Sequence, residues 1–302
     1  MFAKSGMSCL KGYVYTLKRP CYVVSHLACV TPKGSTSTFL QYYFKYNRPD
    51  RLIENPSFPS IKLSKISEIE IAIPDERTLS AQTAVLDKIN EQTAITQEQI
   101  SRLDILVKSR FVEMFGTTHI PSYPVIPIED ACTAIVDCPH ETPKYEGELV
   151  HPAIRTSELL GTVITWDSMK YVSEEEYLKR IQRMKPLAGD IVYAREGSYG
   201  NAAVLPDGHE FCLGQRTMLF RPNRDVCLAN YLLYALTSMD VKRQADELNV
   251  GSTVPHVNVR DARRFSIPLP PMNAQQEFSV FVQQVDKLRF ESGQDRCFQS
   301  PA

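Results

Sequence analysis

Apolar residues recur at spacings of three and four between Ala81 and Met114. Val85, Ile89, Ile100, Leu103, Leu106 or Val107, Phe111 and Met114 fall on one stripe, the period of an amphipathic helix. No proline or glycine interrupts the run before Gly116, which stands where a C-cap belongs. At 1.5 Å per residue such a helix reaches roughly 50 Å. Gln92, Thr93 and Thr96 dilute the middle of the stripe. Two readings fit it: a helix packed on its own domain, or a spacer lying antiparallel to a second long helix.

The rest of the chain alternates short patterns. Gly12–Leu17, Tyr22–Val24 and Leu27–Thr31 are β-like, and the aromatic segment Thr38–Tyr46 is predicted helical. Ile69, Ile71 and Ile73 alternate as in a strand, closed by Pro74. After the Pro-rich joint His119–Pro127, Ser173 and Glu176 stand at capping-box spacing, opening a helix towards Met184. Asp190–Ala194 reads as a strand, Gly197, Gly200 and Gly208 as turns, Ala229–Leu248 as one helix or two, and Gly251–Pro255 as a loop. The expected class is α+β, short strands and helices carried on a long helical spacer.

Part of this pattern occurs twice. Pro59-Ser60-Ile61-Lys62-Leu63 aligns with Pro255-His256-Val257-Asn258-Val259 at an offset of 196, and the same offset places Ile69–Pro74 on Phe265–Pro270. Leu79-Ser80-Ala81-Gln82 answers Met272-Asn273-Ala274-Gln275 after a three-residue slip, and His26–Pro32 weakly matches Arg216–Pro222. The preserved order points to a duplicated unit. Residues 1–116 read as the tail of one unit with its spacer, and 126–290 as a second unit with a shortened spacer.

The 302 residues, 43% hydrophobic and 23% charged, are enough for two domains and argue against global disorder. No apolar run spans a bilayer and the first residues lack a signal-peptide stretch, so a cytoplasmic setting without membrane association is expected. The eight scattered cysteines read as mostly buried thiols. Net charge is −1, and residues 120–273 carry 16 Lys plus Arg against 20 Asp plus Glu, a net of −4. Bulk charge therefore does not signal nucleic acid, although a local basic face remains open. Arginine outnumbers lysine 11 to 5 in that segment, which favours forked recognition of bases and phosphates.

Enzyme motifs are absent. Gly197-Ser198-Tyr199-Gly200 lacks the nucleophile-elbow pattern, and no P-loop or dinucleotide fingerprint occurs. Cys132, Cys138, His140 and His151 have metal-ligating types without a zinc-finger spacing, so no metal, cofactor or catalytic group is expected. Polar loops remain. In Arg195-Glu196-Gly197-Ser198-Tyr199-Gly200-Asn201 the glycines permit close backbone approach, and Arg195 and Asn201 offer forked polar groups beside Ser198 and Tyr199. Arg195 can equally pair with Glu196 or Asp190. Gln215 and Arg216 form a second cluster, in which Arg216 either reads guanine or makes a surface salt bridge. Thr253, His256 and Asn258 either face phosphate and base or lie in a turn that sets the next strand. His140, Thr142, Lys144 and Tyr145 make a further exposed loop, with Lys144 suited to phosphate. Trp166 is a core anchor or a stacking platform.

These residues resemble a partial DNA specificity subunit of a type I restriction–modification system. The resemblance rests on Ile267-Pro268-Leu269-Pro270-Pro271 before Gln275-Gln276, and on Ser109–Gly116 ending the long helix. Asp137-x-x-His140-x-Thr142-Pro143-x-Tyr145 and Arg195-x-Gly197-x-x-Gly200 add to it, so that nearly the whole chain is covered. It implies target-recognition domains of mixed short strands and helices. It also implies helical spacers forming an antiparallel coiled-coil-like pair. Residues 1–78 would then be the C-terminal part of a first target-recognition domain, 79–116 a conserved spacer helix and 117–125 a linker. Residues 126–272 would be a second target-recognition domain, and 273–302 the start of a second conserved helix and tail. The first domain lacks most of its front half, and the second spacer stops near Phe290. The implied function is sequence-specific binding of double-stranded DNA. It serves methyltransferase subunits that carry S-adenosylmethionine and, in the full complex, a motor–nuclease subunit. Val85, Ile89, Ile100, Leu103, Val107, Phe111 and Met114 would line the partner-binding helix, and self-association is compatible. The alternative is a partial specificity subunit acting mainly as a scaffold for the methyltransferase.

Overall fold

The computed structural model describes residues 1–33, 35–197, 199–249 and 256–291. It has a mixed α+β architecture in two compact units, Met1–Ile95 and Thr96–Ala302. The helix Glu76–Phe115 runs without a break and contributes residues to both. It starts five residues before Ala81 because Asp75 accepts the Thr78 N–H at 3.0 Å, satisfying an orphan donor of the first turn. It stops at Gly116, whose φ of 71° is left-handed and whose N–H bonds Val112 O at 2.8 Å. A Cβ there would lie 2.3 Å from Ile120 O, so only glycine fits the turn.

In the first unit, Phe2–Ala3 pairs antiparallel with Leu27–Ala28. The helix Ser37–Asn47 is capped by Thr36, which accepts the Phe39 N–H. Phe2, Val14, Ala28, Phe44 and Ile61 form the core. The β-like runs at Gly12–Leu17 and Tyr22–Val24 are not strands; the first contributes one bridge, Val14 to Phe2. Leu27–Thr31 shortens to Leu27–Ala28. The alternating Ile69, Ile71 and Ile73 also form no strand, although Ile69 and Ile71 do turn towards the core. The reason is a missing neighbour. In the second unit the matching segment Ser266–Pro268 pairs with Val125–Pro127, and among the described residues of the first unit no segment takes that place.

The second unit holds a four-stranded antiparallel sheet in the order Ala202–Val204, Ile191–Ala194, Thr217–Pro222, Cys132–Asp137. Beside it, His151–Ile154 pairs parallel with Cys212–Leu213 and antiparallel with Lys170–Val172. Ser173 caps Glu174–Arg180 as its spacing predicts, but the helix ends short of Met184. Ala229–Leu248 resolves into two helices, Ala229–Leu236 and Met239–Leu248, because Ser238 breaks the run and caps the second.

The long helix packs against the terminal helix Met272–Glu291. Phe111 meets Phe278, Arg110 bonds Glu277 and Arg289 bonds Asp104, so the contacts run in opposite order along the two helices. Along the stripe, Val107 and Phe111 lie in the second unit's core with Leu103 and Met114 against it, and Ile100 is buried. Leu106 faces outward, as do Val85 and Ile89 at 59% and 56% exposure.

Among the described residues, no helix is long and apolar enough to cross a membrane. Burial pushes the Cys132 and Cys212 thiols up to about 12, whereas Cys21 and Cys29 are exposed. The thiolate is the nucleophile, and these two thiols, half-buried Cys132 and buried Cys212, stay protonated at mildly alkaline pH. Maleimide labelling at pH 8, read by peptide mass mapping, is expected to modify Cys21 and Cys29. Cys132 and Cys212 should stay intact until denaturant is added; ready labelling of Cys212 in folded protein would contradict this burial.

Candidate nucleic-acid interface

Three strands of the second unit end side by side. Ala194 pairs with Thr217, and Asp137 pairs with Met218. The loops leaving Asp137 and Ala194 and the loop entering Thr217 therefore gather at one sheet end. Backbone bonds tie them: Arg195 N–H to Arg216 O at 2.9 Å, Cys138 N–H to Thr217 O at 3.2 Å, and Val257 N–H to Arg195 O at 2.8 Å. His256 bridges Glu196 from the other side of that loop. The structure thus brings together Asp137, His140, Arg195, Glu196, Gln215, Arg216 and His256.

The two arginines occupy opposite environments. The Arg195 side chain is only 10% exposed, with Nε 3.3 Å from Asp137 Oδ1 and Nη2 3.9 Å from Glu196 Oε1. It pairs with Glu196 as one sequence reading allowed, and with Asp137 rather than Asp190, which instead binds Arg221. Arg216 is 63% exposed, its Nε 3.0 Å from Glu196 Oε2. Among the described residues, Glu196 is the one acid its guanidinium meets. Its backbone sits at φ 66°, a conformation costing about 1 kcal/mol or more for a side chain with a Cβ. Residues held this way are over-determined by their surroundings, here by the carbonyl bond to Arg195 and the ion pair to Glu196.

The other candidates are placed as follows. His140 is exposed, 3.6 Å from Asp137 Oδ2, and its carbonyl accepts Gln215 Nε2 at 3.1 Å. The His256 N–H donates to Asn249 Oδ1 at 2.8 Å. Thr142 and Lys144 are exposed. Tyr145 is half-buried, with Lys170 Nζ 4.5 Å above its ring, and burial pushes its hydroxyl pKa up. Tyr199 donates to Asp246, and Asn201 Nδ2 donates to Leu159 O at 3.0 Å. Asn258 caps Val259–Ala262, accepting the Asp261 N–H at 2.9 Å. Trp166 packs on His209 and Phe211. Ser198 and Thr253 lie outside the described residues. The candidate set leaves out the two acids that aim the arginines, Asp137 and Glu196. Asp137 was legible as the first residue of the Asp137-x-x-His140 pattern.

The same frame recurs inside the first unit. Lys4 N–H bonds His26 O at 2.9 Å and Ile61 N–H bonds Lys4 O at 2.7 Å, as Arg195 bonds Arg216 and Val257 bonds Arg195. Ser5 bridges Ser60 as Glu196 bridges His256. Gly6 and Gly197 both have positive φ, at 78° and 68°. The side-chain pair differs: Ser5 Oγ lies 2.7 Å from His26 Nδ1, where the second unit has the Glu196–Arg216 ion pair.

A family model described as type I restriction modification DNA specificity domain matches residues 141–296, just over half of the chain. Among solved structures, the chain is similar to the type I restriction–modification system S subunit from M. genitalium. Identity is 14% and the TM-score 0.50, over 98% of this chain and 78% of that one. The HsdS subunit from Thermoanaerobacter tengcongensis aligns at 17% identity and TM-score 0.44, over 86% of this chain and 65% of that one. A chain from work on complex assembly and conformational transition of the type I R-M system aligns at 18% identity and TM-score 0.47, over 87% and 67%. The chain thus spans about two thirds of the length of the latter two. No curated protein matches it significantly.

Proposed function

This chain belongs to the type I restriction modification DNA specificity family, and from that membership we propose that it is a sequence-specific DNA-binding subunit. In this reading it directs type I methyltransferase and restriction subunits to a target without catalysis of its own. Residues 126–272 act as one target-recognition domain and 1–78 as the C-terminal part of another, joined through the spacer 79–116 and the linker 117–125. The start of 273–302 pairs with the spacer as an antiparallel coiled-coil-like unit. Of the expected partner-binding positions, Val85 and Ile89 are the exposed ones and are left for a methyltransferase subunit.

Arg216 carries the reading. An arginine that is 63% exposed, held by a carboxylate beside Nε and by a fixed backbone, is suited to bidentate bonding to guanine O6 and N7 in the major groove. Selection from a duplex library with the folded chain and its methyltransferase tests it. Arg216→Ala is expected to lose about 1–3 kcal/mol of discrimination at one base pair. A uniform drop across sequences would place Arg216 on phosphate instead. The scaffold reading draws on the internal bonds that occupy Arg195, Tyr199, Asn201 and Asn258. Methyltransferase capture by wild-type chain that shows no sequence preference would select it.

A further inference from the structure

We infer that the first unit holds a separate, sequence-independent contact for duplex DNA: an open groove of about 520 Å³ where Lys11, Tyr13, Tyr15, Lys45 and Arg48 receive the phosphodiester backbone. The inference rests on the DNA-binding reading above but concerns different residues.

Charge points there first. Residues 1–62 contain nine Lys or Arg against two Asp or Glu, a net of +7, while 120–273 has a net of −4. The two acids, Asp50 and Glu54, are both engaged. Asp50 bonds Arg48 through both oxygens, at 3.2 and 2.8 Å, and Glu54 pairs with Lys62 and Lys65. Lys11 and Lys45 have no ion-pair partner among the described residues, so the groove keeps their charge.

The groove is also built. Arg48 and Arg216 are the two non-glycine residues at positive φ among those described. Asp50 fixes the Arg48 guanidinium, and Gly12 makes room for Asp50: a Cβ at Gly12 would lie 2.2 Å from Asp50 Oδ1. Tyr13 and Tyr15, both more than half exposed, stand edge to face with centroids 6.4 Å apart. Tyrosine hydroxyls and lysine ammonium groups are donors that phosphate oxygens accept without reference to base identity.

Among its described residues, the second unit has no equivalent. Its Tyr193–Ala202 pairing corresponds to the Phe2–Val14 bridge, which sets Tyr13 against Asn201 and Tyr15 against Ala203. Asn201 is bonded to Leu159 O and Ala203 is buried. Five residues separate Gly6 from Gly12, where two separate Gly197 from Gly200. The longer loop is what brings Lys11 to the groove.

The test is fluorescence anisotropy of the full chain on a labelled preferred duplex and on a scrambled one, over a salt series. The double variant Lys11→Gln/Lys45→Gln is expected to reduce the slope of log K against log salt by about 2, to the same extent on both duplexes. Tyr13→Phe/Tyr15→Phe, which keeps the rings and all charges, should weaken both duplexes several-fold. An unchanged slope with retained sequence preference would overturn the groove and leave the proposed function standing. A loss confined to the preferred duplex would also overturn it. Wild-type chain that binds neither duplex would overturn both.

Discussion

Phe111→Ala is expected to lower the unfolding free energy of the second unit by about 3–5 kcal/mol. Phe111 is 4% exposed and packed on aromatic rings on several sides. It stacks on Tyr231 at 28° and 5.4 Å, and meets Phe115 and Phe278 edge-on at 5.0 and 5.4 Å. These rings come from separate elements, the long helix, Ala229–Leu236 and Met272–Glu291, so no single side chain can move in to fill the space. Typical domain stability is about 5–15 kcal/mol, which makes this loss a large fraction of the total. Denaturant unfolding measures it, with the exposed neighbour Val112→Ala as the comparison, expected within about 0.5 kcal/mol of wild type. Similar small effects of the two changes would mean that the long helix is not docked through its aromatic end.

Arg195→Ala should behave unlike Arg216→Ala. Removing the guanidinium leaves Asp137 and Glu196 facing each other at the sheet end without their shared cation. Stripping one partner from a largely buried ion pair costs about 3 kcal/mol. DNA affinity is expected to fall by the same factor on every sequence, because the loop carrying Arg216 loses its support rather than a base contact. Replacing both partners, Arg195→Met with Asp137→Leu, should recover much of the stability, since well-packed apolar residues commonly substitute for a buried pair. Thermal melts and library binding together decide the matter. Loss of discrimination at one base pair with unchanged stability would show that Arg195 touches DNA directly.

Arg195 and Arg216 also mark where sequence reading stops. Both stand beside turn glycines or polar neighbours, and as types they are equally suited to a base edge. Which is buried depends on Asp137, which reaches Arg195 only through the pairing of both strands with Thr217–Pro222. Asn201 and Asn258 are similar: an amide in a loop looks available until the carbonyl or helix end it satisfies is known. The alternation of Ile69, Ile71 and Ile73 reports which side faces the core, and it does so correctly for Ile69 and Ile71. It carries no information on whether a second strand is present to pair with.

By itself, then, the amino-acid order determined what is local or periodic. That includes the long helix with its glycine stop, the Ser173 cap, the break left open within Ala229–Leu248, and the internal repeat whose halves share one hydrogen-bond frame. Helix propensity, capping and turn strain act within a few residues and leave a readable trace. Only tertiary structure decided the pairing of strands, the exposure of Arg216 over Arg195, and the gathering of Lys11, Tyr13, Lys45 and Arg48 around one groove. Burial and ion pairing are properties of distant partners meeting, and their energies do not exist until the chain has closed the loops between them.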